Sequence, residues 1–248
     1  MYSSSQKPTL LSNFKNLLFD RRDAPTPPNQ GYRCLLCGDG AVALALCNGC
    51  RAELPALAKT QCTVCAHPLS ITGICGRCIA EPPHFDRVIT GYRYAYPLAG
   101  MIQACKYGGR LETTKVLADL LSAELPQHPD LIVPMPLSGQ RLRERGFNQA
   151  LEIAHHAAHR APARVDARVC IKIRDTVPQT SLPWKERRKN IRGAFVVQHS
   201  LEGLHIAVVD DVLTSGATLN ELARCLKKSG AASVTGWVVA RTVADHVT

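Results

Sequence analysis

Eight of the eleven cysteines occur as four C-x2-C pairs, and these pairs constrain the fold more than any other feature of the chain. The pairs are Cys34/Cys37, Cys47/Cys50, Cys62/Cys65 and Cys75/Cys78. The last two pairs repeat the first two with an offset of 28 residues, so each half of the repeat reads C-x2-C-x9-C-x2-C. Because two such pairs supply four thiolates for a tetrahedral Zn2+ ion, the repeat predicts two zinc sites.

The spacing favours a sequential arrangement, in which each half closes around its own ion. A cross-braced arrangement, which joins the first pair to the third, is the alternative. Four protein ligands leave no open position, so both sites are predicted to be structural rather than catalytic. His67 follows Cys65 closely, but four cysteines already complete the second ligand set. The segment has little apolar core of its own, so the metal is expected to supply its folding energy.

The rest of the sequence predicts neither a secreted nor a membrane-spanning protein. The first residues lack the long apolar stretch of a signal peptide, and mean hydropathy is −0.06 with no apolar run near the ~18 residues of a membrane span. Without a signal peptide the compartment is expected to be the reducing cytoplasm, so the cysteines do not form a disulfide scaffold. The formal net charge of +10 favours anionic partners, either nucleic acid or a phosphorylated small molecule.

The sequence predicts three regions. Residues 1–31 form a leader with a short amphipathic helix over 8–19 and a proline-rich linker, and residues 32–81 form the cysteine repeat. A Glu-Pro-Pro break separates these from residues 84–248, where apolar strands alternate with helical segments. Such alternation predicts an α/β domain with a mostly parallel sheet flanked by helices, and ligands are then expected at the carboxyl ends of the strands.

The most specific motif is HIAVVDDVLTSGATLNE, over 205–221. An apolar strand delivers Asp210 and Asp211, a short hydroxyl-bearing loop follows, and Gly216 opens a helix. Backbone amides at a helix N-terminus bind phosphate, and adjacent carboxylates accept hydrogen bonds from vicinal hydroxyls, so a ribose 5-phosphate suits both halves. A Walker B strand would also carry paired acids, but the chain has no G-x4-G-K-[ST] loop.

VVDDVLTSGATL resembles the phosphoribosyl pyrophosphate (PRPP) signature of type I phosphoribosyltransferases. CKYGGR (105–110), VPMPLS (133–138), RERGFNQA (143–150) and RRKNIRGAF (187–195), taken with the cysteine pairs, narrow the resemblance to the ComF family, which is linked to competence and DNA uptake. The resemblance extends from about Tyr32 to near the end of the chain. It implies a type I phosphoribosyltransferase-like fold with an N-terminal double zinc ribbon.

The resemblance also implies the site. Asp210 and Asp211 are expected to contact the ribose hydroxyls and to be the catalytic residues, residues 214–218 to surround the 5-phosphate, and the loop after 133 to bind pyrophosphate. The family usually requires Mg2+ bound to PRPP. The complete predicted PRPP site comprises Asp210, Asp211, Thr214, Ser215, Gly216, Ala217, Thr218, Pro134, Pro136, Arg187, Arg188 and Lys106.

Basic clusters near these motifs leave two functions open. Arg141, Arg143 and Arg145 follow the proposed pyrophosphate loop. The run 185–192 is either a solvated charged face or, as the resemblance implies, a lid over pyrophosphate. One hypothesis is an enzyme that transfers phosphoribosyl from PRPP to an unidentified acceptor. The other is a non-catalytic PRPP sensor or a single-stranded-DNA-binding module that works with competence-machinery proteins. The same cations serve either function, because both ligands carry phosphates.

Overall fold

The computed structural model describes residues 33–40, 46–125, 129–161, 163–175 and 189–243. The chain divides into two compact units, Met1–Leu54 and Pro55–Thr248, so the boundary falls between the two halves of the cysteine repeat. In its described part the first unit holds one short helix, α1 (Asn48–Ala52). Cys47 precedes this helix as N-cap and contributes a sulfur to its first turn. No helix among the described residues is long and apolar enough to cross a membrane.

The described part of the second unit contains six helices and eight strands. The helices are α2 (Gly76–Ala80), α3 (Leu98–Gly108), α4 (Glu112–Ser122), α5 (Gly139–Arg145), α6 (Gln149–Ala158) and α7 (Ala217–Lys228). The strands are β1 (Arg87–Ile89), β2 (Tyr92–Arg93), β3 (Leu131–Pro134), β4 (Arg164–Val165), β5 (Cys170–Lys172), β6 (Phe195–Val197), β7 (His205–Leu213) and β8 (Ser233–Arg241).

The main sheet is parallel, with strand order β1-β8-β7-β3-β4 and with β2 continuing along β8 beyond β1. Strands β7 and β8 form its centre and run together from His205↔Ser233 to Leu213↔Arg241. Their near-continuous apolar sequence is typical of parallel strands that are covered on both faces. Helices α4 and α7 pack against β8, and α6 packs against β3 and β7. The prediction of a mostly parallel sheet flanked by helices is confirmed.

Two local differences from the predicted elements have identifiable causes. The apolar stretch after Phe85 is not one strand, because Gly91 turns its carbonyl to the amide of Leu57 at 2.8 Å and so divides the stretch into β1 and β2. The loop expected over 212–215 starts later, because β8 continues beside β7 and pairs with it up to Leu213. In addition, β5 and β6 form a separate antiparallel hairpin.

Gly236 allows α7 to approach the sheet closely. A Cβ atom at this position of β8 would lie 2.6 Å from Cδ2 of Leu219 on α7 and 3.3 Å from Val88 on β1. Since real Cβ atoms do not approach other atoms to 2.6 Å, glycine allows Leu219 and the helix to pack at this depth without a shift. The first turn of α7 is thereby fixed at the carboxyl end of β7.

Candidate functional site

The cysteines form two tetrads, and each tetrad comes from one half of the repeat. Cys34, Cys37, Cys47 and Cys50 make the first, and Cys62, Cys65, Cys75 and Cys78 the second; the sulfurs of each lie within 4.8 Å of one another. The sequential arrangement is therefore confirmed and the cross-braced alternative is wrong. Sulfurs bound to one tetrahedral zinc ion at ~2.3 Å are about 3.8 Å apart. The Cys37–Cys47 and Cys65–Cys75 sulfur distances are both 3.7 Å.

The electrostatics of both tetrads also suit zinc. Burial alone disfavours a thiolate at Cys62, yet backbone amides of Cys65, Cys75 and Val64 outweigh burial and lower its pKa to about 6. At Cys34 burial is likewise outweighed by backbone amides, and the pKa falls to about 7. Each tetrad thus contains one thiol whose pKa is lowered by backbone amides, within a cluster of four sulfurs that is the donor set of a structural zinc site.

The connections that follow β3 and β7 lead to opposite edges of the sheet. From β3 it crosses through α5 and α6 to β4 on one side, and from β7 it crosses through α7 to β8 on the other. Neighbouring strands whose connections leave in opposite directions open a crevice at their carboxyl ends, and ligands of open α/β sheets bind there. The residues after Pro134 and those after Val209 flank this crevice.

A cavity of about 500 Å3 occupies the crevice. Acidic, basic and aromatic side chains from α3, the β3–α5 loop, α5, β5 and β7 surround it. Its described lining includes Tyr94, Lys106, Tyr107, Met135, Pro136, Leu137, Arg141, Glu144, Arg145, Phe147, Gln149, Lys172, Asp210, Asp211, Thr214 and Thr218. A cavity of this size accommodates a small phosphorylated ligand.

The paired acids lie at the floor of the cavity with a lysine against them. Lys106, near the end of α3, places Nζ 2.9 Å from Oδ2 of Asp211, whose side chain is only 5% exposed. Burial disfavours the Lys106 ammonium, but the charge of Asp211 outweighs it and raises the lysine pKa. Burial and the adjacent Asp211 charge raise the pKa of Asp210 to about 7. Asp210 therefore changes protonation near neutral pH.

The loop from Thr214 to Gly216 joins these acids to α7. Gly216 is the N-cap, with φ of 79°, a conformation that side-chain-bearing residues rarely adopt. The first hydrogen bond of the helix runs from the amide of Asn220 to the carbonyl of Gly216 at 2.8 Å, which leaves the amides of Thr218 and Leu219 without a partner inside the helix. These amides and the positive end of the helix dipole suit a phosphate.

The predicted loop residues divide between two cavities. Thr214 and Thr218 line the large cavity, whereas Ser215, Gly216 and Ala217 line a smaller one of about 50 Å3 on the side of the second tetrad. The hydroxyl of Ser215 accepts a hydrogen bond from the amide of Ala217 at 3.2 Å, so it caps the helix.

The remaining residues of the predicted PRPP site do not all lie at the large cavity. Pro136 lines the large cavity, and Pro134 is the buried last residue of β3, paired with Val209. Arg187 and Arg188 lie outside the described residues. Lys106, Asp210 and Asp211 all line the large cavity, and Lys106 contacts Asp211.

The cation at Lys172 was not predicted, and neither was the contact that Arg145 makes with an aromatic ring. Lys172 lies on β5 and lines the cavity, where burial and the charge of Arg141 lower its pKa to about 8. Arg145 lies 5.4 Å over the ring of Tyr107, which is itself 77% exposed. Lys172 could not be found from a motif, because only the hairpin of β5 and β6 carries it towards β7. Arg145 and Tyr107 lie in two separate motifs, RERGFNQA and CKYGGR. The presence of both motifs was the sequence signal for the contact between these residues.

Comparison with known proteins places the chain in a family. Residues 26–79 match the family model of the double zinc ribbon domain. The chain is 34% identical over 194 residues to the DNA utilization protein YhgH of Escherichia coli K12, covering 75% of this chain and 86% of that protein. It is 29% identical over 224 residues to the competence protein F of Haemophilus influenzae, covering 85% of this chain and 97% of that protein.

A Bacillus subtilis relative, competence protein ComFC, is 29% identical over 211 residues, which cover 79% of this chain and 84% of that protein. Half of the chain also superposes on a quarter of a solved structure described as the allosteric regulatory enzyme of purine biosynthesis, with 20% identity and a TM-score of 0.36, a likeness too slight to bear on function. These similarities show that this chain belongs to the competence protein F (ComF) family.

Proposed function

We propose that the large cavity binds PRPP together with Mg2+ and that the protein transfers the phosphoribosyl group to an acceptor. The observation that carries this proposal is the position of Asp210 and Asp211, which lie at the floor of a cavity and directly before the N-terminus of α7. One end of the cavity therefore suits a phosphate, and its floor suits vicinal hydroxyls that donate to carboxylates. A ribose 5-phosphate carries both groups.

The cations of the cavity suit the pyrophosphate of the same ligand. Lys172, Arg141 and Arg145 line the side formed by β5 and α5, next to the loop that follows β3. Arg187 and Arg188 are proposed to contribute from the basic run that precedes β6. Mg2+, bound mostly by PRPP oxygens and water, would neutralise part of the pyrophosphate charge.

The reaction proposed here is a substitution at the anomeric carbon. The acceptor's lone pair forms a bond to that carbon, the bond from the carbon to the pyrophosphate oxygen breaks, and pyrophosphate leaves with the electron pair. The acceptor's proton goes to solvent or to the departing pyrophosphate. Asp210 and Asp211 would hold the ribose hydroxyls while positive charge develops on the ring, and the cationic side would stabilise the leaving group.

Calorimetric titration of PRPP, with and without Mg2+, tests the proposal. Binding is expected with Mg2+, and Asp211→Asn is expected to weaken it at least about tenfold, because a carboxylate that accepts hydrogen bonds is lost. Asp119→Asn makes the same change on helix α4, outside the cavity, and is the matched control. Absence of binding at millimolar PRPP, or equal binding by Asp211→Asn and the unmodified protein, would contradict the proposal. A screen of acceptors for pyrophosphate release then tests catalysis.

The names of the relatives favour a second candidate function. Competence and DNA utilization suggest a chain that handles single-stranded DNA, with PRPP as a regulatory ligand and with competence-machinery proteins as partners. The formal charge of +10 and the exposed Arg143 on α5 agree with this candidate. Removal of charge at Arg187 and Arg188 should then weaken DNA binding and reduce its salt slope by about 0.7 for each lost phosphate contact. Asp211→Asn should leave DNA binding unchanged.

A further inference from the structure

The second cysteine tetrad is built into the core of the sheet-bearing unit, whereas the first belongs to a separate unit. The four cysteines of the second tetrad pack in the same apolar cluster as Val133 of β3, Val208 of β7 and Leu222 of α7. Phe85, which follows the second tetrad in the chain, lies in that cluster too, 3.8 Å from where a Cβ of Gly216 would be. The second tetrad therefore adjoins the phosphate-binding loop through direct packing.

A buried arginine faces this tetrad. Arg241, the last residue of β8, is 1% exposed and is among the largest fully buried side chains of the described chain. Its Nη2 lies 3.7 Å from Sγ of Cys65, while its Nε and Nη1 have no hydrogen-bond partner among the described residues. A guanidinium remains charged in proteins, and a buried charge is strongly unfavourable unless an opposite charge compensates it. Four neutral thiols would not compensate it.

A zinc ion with four thiolates has a net double negative charge, and it would lie directly against this guanidinium. A second arginine, Arg77 of α2, also directs Nη2 to Sγ of Cys65, at 3.8 Å. The first tetrad lacks such partners: neither Arg33 nor Arg51, the arginines in the described part of its unit, hydrogen-bonds one of its sulfurs. The two ligand sets are alike in sequence and different in surroundings.

We propose that Arg241 is the internal counter-ion of a zinc tetrathiolate at the second tetrad, and that this pair makes the second zinc an integral part of the sheet that bears the cavity. The first zinc holds only its own unit together. Arg241 pairs in register with Leu213, the residue before the phosphate-binding loop, and the amide of Thr242 donates to the carbonyl of Leu213 at 2.9 Å. Arg241 is thus a positioning residue, which joins the second metal to the end of β7.

Zinc release to a chromogenic chelator, measured on the zinc-loaded full chain, tests the charge pair. Arg241→Met replaces the guanidinium by an apolar side chain and is expected to speed the release of one of the two zinc ions at least about tenfold, as loss of an outer partner does at other metal sites. The other ion should leave at the unmodified rate. Arg51→Met, the control in the first unit, should leave both rates unchanged. Equal release from Arg241→Met and the unmodified protein would overturn the proposal.

Two further measurements keep the test decisive if Arg241→Met does not fold. Arg241→Lys keeps the charge and should restore most of the zinc retention. Cys62→Ser/Cys65→Ser should lower the main unfolding transition by many degrees, whereas Cys34→Ser/Cys37→Ser should leave it nearly unchanged. Equal effects of the two double variants would also overturn the proposal. None of these readouts involves PRPP, so they stand or fail independently of the proposed function.

Discussion

At the scale of single residues, the ionised form of Asp210 is expected to lower the stability of the fold. Its proposed role in holding the ribose hydroxyls explains this cost. Because burial and Asp211 raise its pKa to about 7, the fold prefers the protonated form. The penalty for ionising Asp210 begins above the ordinary carboxyl pKa and is complete only above pH 7. Asp210→Asn should therefore raise the thermal midpoint at pH 8, by about 2–4 °C for each kcal/mol recovered, and have little effect near pH 4. Thermal unfolding at the two pH values measures this difference.

The same pKa predicts how ligand binding depends on pH. Hydrogen bonds from ribose hydroxyls to an ionised carboxylate are stronger than those to a protonated carboxyl group, so PRPP affinity should rise between about pH 6 and pH 8. Asp210→Asn should bind PRPP more weakly at pH 8. The pH dependence that remains in this variant should be the part caused by the protonation of PRPP's own phosphates. Calorimetry at three pH values gives the comparison, and an unaltered pH profile in Asp210→Asn would refute the assignment.

Lys106 is predicted to stabilise the fold through Asp211. Loss of the ammonium leaves a buried carboxylate beside Asp210 without its nearest cation, so Lys106→Gln should cost about 1–3 kcal/mol of unfolding free energy. Lys115→Gln changes an exposed lysine of α4 and should cost almost nothing. In the double variant Lys106→Gln/Asp211→Asn the two costs should not add, because both changes remove one ion pair. Additive costs in denaturant unfolding would mean that the pair contributes nothing.

At the scale of elements, the position of α7 decides whether the amides that are proposed to bind phosphate face the cavity. Gly236→Ala would place a methyl group 2.6 Å from Cδ2 of Leu219, so either the Leu219 side chain or α7 itself must move away from β8. The expected cost is about 1–3 kcal/mol, as for other overpacked cores, together with weaker PRPP binding. Gly73→Ala is a suitable control because a Cβ there meets nothing within 4 Å. Chemical denaturation and calorimetry of both variants separate the two effects.

Local elements were predictable from the sequence, and contacts between distant elements were not. The strand, acid pair, glycine turn and helix of 205–228 follow one another without interruption, so the motif specified β7, the loop and α7 directly. The cysteine spacing specified both tetrads. The Lys106–Asp211 ion pair, the cap made by Ser215 and the place of Lys172 in the cavity depend on how α3, α7 and the hairpin pack, which no local pattern encodes.

At the scale of the whole molecule, the sequence pattern and the packing suggest different domain boundaries. The cysteine repeat reads as one module over 32–81, with a second domain from 84, and this division stays a prediction. Packing divides the chain at Leu54, and Leu57 and the second tetrad belong to the core cluster of the later unit. A lone arginine after the apolar run of β8 was the one sequence sign of this arrangement, since a charge at the end of a buried strand requires a partner.

Two shortened chains distinguish these divisions. Residues 55–248 retain the second tetrad, Arg241 and every described residue that lines the large cavity, so they should fold, bind one zinc ion per chain and bind PRPP as the full chain does. Residues 84–248 lose the cysteines that cover Phe85 and leave Arg241 without a counter-ion, so they should unfold at a lower temperature or aggregate. Metal analysis and thermal unfolding measure both outcomes. If residues 84–248 are as stable as residues 55–248, the second zinc ribbon is an appendage and the sheet-bearing unit begins where the proline break predicts.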